Sequence, residues 1–415
     1  MIKEEVVTLA HGGGGKAMRD LIEDVFTSAF NPPGDEDQAR LTDKALAQTG
    51  AQLAFTTDSF VVDPVEFPGG DIGKLAVCGT VNDLVVGGAK PLWLSASFII
   101  EEGTPVALLR RIVASMVAAA DDAGVQIVTG DTKVVGKGSA DTLFITTSGV
   151  GVIPEGRDIA ADKIKPGDVV LVNGVLGDHG ATILAARGDM ALETDVQSDC
   201  RPLGDLMEAA LAAAPNLRAA RDATRGGIAS ALNEMAEASQ VGIELDESLV
   251  PLRPEVKGVC EILGLDPLYL ANEGTMVLFA PPDEADAALR ALRALPGGEG
   301  AVAIGVATDK RPGRVVMKTV FGGSRIVDML VGGRVMHELS LARNIVAIVS
   351  DHAKDSPVAR VRLAIGPLAC VEWEALLFCF DLAAENTVLA GAALEFVDAD
   401  KDTFLIKEFE MKEAA

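Results

Sequence analysis

Residues 56–91 read TTDSFVVDPVEFPGGDIGKLAVCGTVNDLVVGGAKP. The first part continues a strand pattern, LAFTTDSFVV, that is expected to end near Asp58. From Asp71 to Val86 the chain is rich in apolar residues and free of proline. Gly87 and Gly88 then offer a C-cap, and Pro91 prevents further helix. The next run, WLSASFII (93–100), is a strand again. Strand, helix and strand in this order predict an α/β layer. The helix has no polar face, which predicts burial on all sides. Asp83 stands inside it, and a carboxylate on a buried helix needs a partner.

The same alternation extends outward from this stretch. On its N-terminal side, HGGGG (11–15) precedes an amphipathic helix from about Lys16 to Phe30, stopped by Asn31-Pro32-Pro33-Gly34. On the other side come a helix over 108–124 and strands over 126–135 and 142–153. At Pro166-Gly167 the pattern restarts as strand, turn and helix over 168–186. Further helices are expected near 203–214, 226–238 and 281–295, with strands near 242–245, 275–280, 301–306 and 314–317. Boundaries near 160 and 334 divide the chain into segments 1–160, 161–334 and 335–415. The last segment reads as helix (337–352), strand (358–365), helix (371–385) and a hairpin closed by Asp398-Ala399-Asp400-Lys401-Asp402.

A chain of 415 residues accommodates about three domains of roughly 150 residues. Apolar residues make up 49% of it, enough for packed cores. The formal net charge of −25 argues against nucleic acid as a partner, because phosphate contacts need clustered Lys and Arg. A nucleotide would need a metal to mask its charge. No uncharged apolar run of about 18 residues occurs, so no membrane span is expected. The N-terminus MIKEEVVTLAHGGGG has no apolar signal core. The five cysteines, Cys78, Cys200, Cys260, Cys370 and Cys379, are odd in number, widely spaced and free of CxxC pairs. A reduced, cytoplasmic chain without a disulfide framework fits that usage.

Several residues carry candidate chemistry. The glycines of HGGGG allow backbone N–H groups to wrap a triphosphate, although the stretch does not match the P-loop pattern and also suits a plain surface loop. Asp58 at a strand end, Asp131 just past a strand in TGDTKVV, and Asp83 would form an oxygen site for Mg²⁺ if they converged. Asn82 adds a neutral oxygen. Turn capping explains Asp58 or Asp131 equally well when each is taken alone. In DATRGG (222–227), Thr224 is placed to cap the following helix, and Arg225 beside that helix N-terminus offers an anion site. Glu273 stands just ahead of a strand, where a turn carboxylate is the simpler reading. His11 and His179 are single, and neither spells a metal motif.

Taken together and in order, TTDSFVVDPVEFPGGDIGKLAVCGTVNDLVVGGAKPLWLS, TGDTKVV, DATRGG, NEG (272–274) and FGGSRIVDML (321–330) closely resemble the HypE family over about residues 5–332. HypE is the hydrogenase-maturation branch of the aminoimidazole ribonucleotide synthetase and selenophosphate synthetase superfamily. The resemblance implies a two-domain α/β body whose N-terminal domains form a shared barrel in a homodimer, with ATP near the subunit interface. It also implies an activity. A carbamoyl group, received from a HypF-type carbamoyltransferase, is dehydrated with ATP to the cyanide source for [NiFe] hydrogenase, and a HypC/HypD-type iron scaffold takes it up. By motif match, Asp58, Asp83 and Asp131 would hold Mg²⁺. His11, Gly12, Gly13, Gly14, Asn82, Thr132 and Asp222 would bind ATP. Lys133 and Glu273 would serve the substrate amide and proton transfer, and Arg225 would meet developing phosphate charge.

The C-terminal stretch departs from that family. Its members end in Pro-Arg-Ile-Cys, whose thiol carries the carbamoyl group. Here LVGGRV passes straight into MHELS (336–340). MHELSLARNIVAIVSDHA and VRLAIGPLACVEWEALLFCFDLA resemble the HypA family of nickel-delivery factors, which implies a small α+β module. It also implies a HypB-like nickel GTPase as a partner, and His337 and Glu338 as nickel ligands. The free amine that completes that nickel site is absent, because Met336 is internal. The family's zinc loop is also missing from LEFVDADKDTFLIKEFEM (394–411), so no zinc is expected. Three readings follow: a dehydratase acting on its own thiol, a dehydratase acting in trans on a group carried elsewhere, or a nucleotide-binding scaffold without activity.

Overall fold

A computed structural model describes residues 6–8, 21–30, 50–187, 194–329, 334–354, 356–366, 373–385, 387–399 and 404–412. The chain separates into two compact units, Met1–Met329 and Leu330–Ala415.

The first unit begins with a four-stranded sheet. Its strands are β1 (Gln52–Phe60), β2 (Lys90–Glu101), β3 (Gln126–Val135) and β4 (Leu143–Ile153), in the order β1-β4-β2-β3. Helices α1 (Ile72–Val86) and α2 (Val106–Ala123) provide the crossovers. Asp71 starts α1, its Oδ1 accepting from Gly73 N at 2.8 Å and Lys74 N at 2.9 Å. Of the α1 side chains, only Lys74 and Asp83 are not buried. The all-round burial expected from the sequence therefore holds, and the two exceptions are its only charges. Asp58 and Asp131 both lie inside strands, not at the strand ends expected of them.

A second, seven-stranded sheet follows, built from β5 (Val169–Val172), β6 (Ala219–Asp222), β7 (Gly242–Asp246), β8 (Met276–Ala280), β9 (Val302–Thr308), β10 (Val315–Lys318) and β11 (Ser324–Val327). Their order is β11-β10-β7-β9-β5-β8-β6, antiparallel except for β10 beside β7. Helices α3 (Asp178–Ala186), α4 (Gly204–Ala213), α5 (Gly227–Ser239), α6 (Pro254–Leu263) and α7 (Pro282–Arg293) are associated with it. Apolar packing runs unbroken from α1 and α2 through Leu206 and Met207 of α4 to Leu289 and Leu292 of α7. Strands β6 and β11 and helix α6 were not expected.

The second unit holds α8 (Arg334–Ala353), β12 (Val358–Ile365), α9 (Trp373–Ala384), β13 (Ala393–Asp398) and β14 (Phe404–Met411). This is the α+β module expected, with one correction. β13 and β14 do not pair as a hairpin. β12 lies between them, parallel to β13 and antiparallel to β14. The reason is α9: a helical crossover delivers β13 parallel to β12, which leaves the opposite edge for β14. Residues 399–403 then need to span two strand spacings, roughly 10 Å, well within their reach. On one face of this sheet Arg362 bridges Glu395 at 2.8 Å and Glu408 at 2.6 Å, and Arg360 pairs with Glu395 at 3.2 Å.

The close approach of α1 to α2 depends on Gly73. A Cβ there would lie 2.5 Å from Ile112 O and 2.7 Å from Met116 Cγ. Gly73→Ala should therefore destabilise the first unit by ~1–3 kcal/mol. Urea unfolding should show a lower midpoint at constant slope, and an unchanged midpoint would show that the helices part without cost.

Candidate functional site

Asp83 is one of the two α1 side chains that are not buried. Thr56 of β1 donates its hydroxyl to Asp83 Oδ2 at 2.9 Å. Side chains alternate along a strand, so Asp58 shares the α1 face of β1 with Thr56. Its Oδ1 accepts from Ser59 N at 2.7 Å. Burial raises the Asp83 carboxyl above its ordinary range, the Thr56 hydrogen bond opposes this, and the charge of Asp58 adds to the rise. Two facing carboxylates of this kind suit a divalent cation that takes its remaining ligands from phosphate oxygens and water.

Two further segments bring more charge to this point. Asp222 ends β6, and its carboxyl is pushed up to about 7, by burial first and then by Asp83. The turn that follows places Arg225 Nη2 3.7 Å from Asp58 Oδ1, on a side chain that is 90% exposed. Thr224 does not cap α5 with its side chain. Its carbonyl accepts from Gly227 N at 2.9 Å, and Gly226, at φ 76°, is the N-cap. The tight turn needs glycine next to it as well. A Cβ on Gly227 would lie 2.4 Å from Leu268 O. Glu273, just ahead of β8, completes the group. Its carboxyl is held well above the ordinary range by burial, then by the charges of Asp199 and Asp222, with Cys78 and Asp58 contributing less. The result is an acidic cluster in which the charges of Asp58, Asp83 and Asp222 act on one another and those of Asp222 and Asp58 act on Glu273, with the exposed Arg225 beside Asp58.

Residues 36–153 match the family model for the AIR synthase related protein, N-terminal domain, and residues 165–318 that for its C-terminal domain. The carbamoyl dehydratase HypE of Rhodobacter capsulatus is 70% identical over 331 residues, covering 80% of this chain and 97% of that protein. The chain belongs to the HypE family. A crystal structure of hydrogenase maturation protein HypE in complex with ATP matches with a TM-score of 0.74 at 46% identity, covering 78% of this chain and 97% of that one. HypE in a crystal structure of a HypE–HypF complex matches at 0.65 and 47%, covering 74% and 99%. Residues 336–403 match the family model for the hydrogenase/urease nickel incorporation metallochaperone hypA.

Not every residue expected at a HypE site is gathered within one chain. Asp131 lies in β3, at the opposite edge of the sheet from β1. It pairs with Ser97, Ser97 with Thr146, and Thr146 with Ser59. That row is one residue out of step with Asp58, so Asp131 points to the open face of the sheet while Asp58 points to α1. Three strand spacings, roughly 14 Å, also separate their strands. Lys133 shares the open face with Asp131, whereas Thr132 is buried on the helix side. Among the described residues no three His, Cys, Asp or Glu side chains are placed to hold one metal ion.

Asn82 differs from its expected role. Its Nδ2 donates to Arg201 O at 3.1 Å and Glu273 O at 3.4 Å, and its Oδ1 accepts from Leu203 N at 2.8 Å. The amide is committed to backbone groups and is not left to face a ligand. His179 is a core histidine, its Nδ1 2.8 Å from Ser198 Oγ and its ring edge-on to Phe67. His11 and Gly12 to Gly14 lie outside the described residues, as do the side chains of His337 and Glu338 on α8. Asp199 had no sequence signal. It sits in an irregular polar stretch, QSDCR, and acts only through the fold.

The thiols bear on the missing HypE tail. Cys78, Cys200, Cys260 and Cys379 are buried. Cys200 is held well above the ordinary thiol range, chiefly by its hydrogen bond with Cys78 and by burial, and burial pushes Cys260 up to about 11. A protonated, buried thiol is a poor nucleophile. Cys370 lies outside the described residues.

The raised Asp222 carboxyl has a consequence for stability. In the folded chain it binds a proton up to about pH 7, whereas an unfolded Asp releases it near about 3.9. Stability is therefore lost as pH rises from about 4 to about 7 and is level above that. Without nucleotide or Mg²⁺, Asp222→Asn should melt above wild type, with a gap that widens from pH 5 to pH 8 and reaches at least ~2 °C. A gap independent of pH would mean that Asp222 is not ionising at a cost.

Proposed function

We propose that this chain is an ATP-dependent carbamoyl dehydratase of hydrogenase maturation that acts in trans, on a carbamoyl thiol carried by another chain. The acidic cluster of Asp58, Asp83, Asp222 and Glu273, with Arg225 beside Asp58, carries this reading. It is the combination that phosphoryl transfer to a weak oxygen nucleophile requires. Asp58 and Asp83 would hold Mg²⁺, which would supply positive charge against the triphosphate. The carbamoyl oxygen attacks the terminal phosphorus and ADP leaves. The phosphorylated intermediate then loses inorganic phosphate as its C–O bond breaks. Two N–H protons leave in all, converting R–S–CO–NH₂ to R–S–C≡N. Glu273, once ionised, accepts protons from nitrogen, and the burial that raises its carboxyl makes it a stronger base than an exposed glutamate. Arg225 meets the charge that grows on the transferring phosphoryl group.

The in-trans assignment is supported by the burial of Cys78, Cys200, Cys260 and Cys379 and by LVGGRV (330–335) running into MHELS where the family has Pro-Arg-Ile-Cys. A HypF-type carbamoyltransferase is the proposed carbamoyl donor, in line with the HypE–HypF complex of a relative, and a HypC/HypD-type iron scaffold is the proposed acceptor of cyanide. The proposed working form is a homodimer. The open face of the first sheet exposes Leu53 at 69% and Phe55 at 71%, and Ile99 is exposed near the far end of β2. Two such sheets closing face to face about a two-fold axis would set β3 of one copy against β1 of the other, leaving no free edge. That arrangement would carry Asp131 and Lys133 of the second copy towards Asp58. We divide the chain functionally at about 160 and 334, with the HypA-like module as a docking arm for a HypB-like GTPase. His337 and Glu338 are its candidate nickel ligands. Titration of Ni²⁺ into wild type and His337→Ala should show tighter binding by wild type, and equal binding would remove His337 from the site.

Full-length protein should hydrolyse Mg-ATP only when given an S-carbamoylated peptide ending Pro-Arg-Ile-Cys, and mass spectrometry should show that peptide losing one water. Arg225→Ala should lower kcat by about 100-fold. A carbamoyl or cyano adduct on Cys370 or Cys379 would restore the cis mechanism, and failure to bind any nucleotide would leave a scaffold.

A further inference from the structure

The turn Asn272–Thr275 carries Glu273, and buried side chains take up most of its backbone polar groups. Asp199 Oδ1 accepts from Glu273 N at 2.9 Å. Its Oδ2 accepts from Gly274 N at 3.0 Å and from Thr275 Oγ1 at 3.0 Å. On the other side of the turn, Glu273 O accepts from Asn82 Nδ2 and from Arg201 N at 3.3 Å. Asn173 holds the exit, donating to Gly274 O at 3.0 Å and accepting from Met276 N at 2.7 Å. Ala223, next to Asp222, accepts from Asn272 N and donates to Thr275 O, each at 3.0 Å. The turn is pressed against Asp199 so closely that a Cβ on Gly274 would lie 1.9 Å from Asp199 O.

Asn82, Asn173 and Asp199 are buried polar side chains from three separate segments, at 2%, 1% and 9% exposure. Buried polar groups persist where they are fully satisfied, and a satisfied network fixes one geometry. Asp199 is the charged member, and three donors of a single turn meet its carboxylate. We propose that Asp199 is the positioning residue of Glu273, fixing the turn through Glu273 N, Gly274 N and Thr275 Oγ1 so that the Glu273 carboxyl stands at a set place above the Asp222 end of β6. The inference rests on the proton-accepting role of Glu273 given above. An asparagine in place of Asp199 offers one acceptor oxygen, and its NH₂ would face a donor. The turn would then lose at least one of its three anchors. A displacement of about 1 Å at a proton-transfer group costs on the order of 100-fold in rate without changing how nucleotide binds.

The test uses the full chain, Mg-ATP and the S-carbamoyl peptide. Asp199→Asn should lower kcat by about 100-fold and leave the KM for ATP within about 3-fold. Thr275→Val removes one of the three donors and should lower kcat by about 10-fold with the same split; it decides the matter if Asp199→Asn fails to fold. A kcat within about 3-fold of wild type, or a KM that rises as far as kcat falls, overturns the proposal. Glu273→Gln separates the two layers of the argument. If it keeps full activity, or if wild type does not turn the peptide over, the reading of Glu273 has failed. Amide exchange over residues 272–276 then judges Asp199 alone, and protection in Asp199→Asn equal to wild type overturns the positioning role.

Discussion

Helix α1 is packed on nearly every side, between the first sheet and α4 of the second layer, and much of the site follows from that constraint. A helix with no solvent face has to satisfy each polar side chain it carries within the protein. Asn82 does so by binding backbone groups of residues 201, 203 and 273, and it thereby draws the Glu273 turn to the helix. Asp83 does so with Thr56, within the acidic cluster. The carboxylates are gathered because the helix that carries one of them has no other direction in which to place it.

The sequence shows this helix well and the cluster less well. An apolar run capped by Asp71 and ended by Gly87 and Gly88 is a local pattern, and α1 has the limits that pattern implies. The convergence of Asp58 with Asp83 depends on strand phase, which Thr56, Asp58 and Phe60 share. Asp131 was grouped with them as a carboxylate expected just past a strand and by motif order. Its placement on the opposite face depends on register across three strands, which a single chain of letters does not display. Asn82 was expected to face a ligand because an amide is chemically able to do so. Burial decides otherwise, through backbone partners more than a hundred residues away in the chain. Asp199 was invisible for the same reason, since the hydrogen-bond donors to its carboxylate come from the distant turn at 273–275.

The two halves of the chain meet at a point where each resembled family loses a reactive group: a terminal thiol on one side and a free amine on the other. The acidic cluster of the first unit does not depend on either group. Every residue that builds it is anchored by sheet register or by buried hydrogen bonds within Met1–Met329. The in-trans proposal is coherent with this, since it asks nothing of the first unit beyond that cluster.

The arrangement of the second unit carries a comparable lesson about tolerance. Because β12 separates β13 from β14, those two strands need no tight turn between them. The energy of closing the span between them changes only slowly with its length. A metal-binding insertion at that place can be lengthened, shortened or lost while all three strands keep their register. The sheet acts as a socket there, and what is plugged into it can change over evolutionary time without the socket being rebuilt.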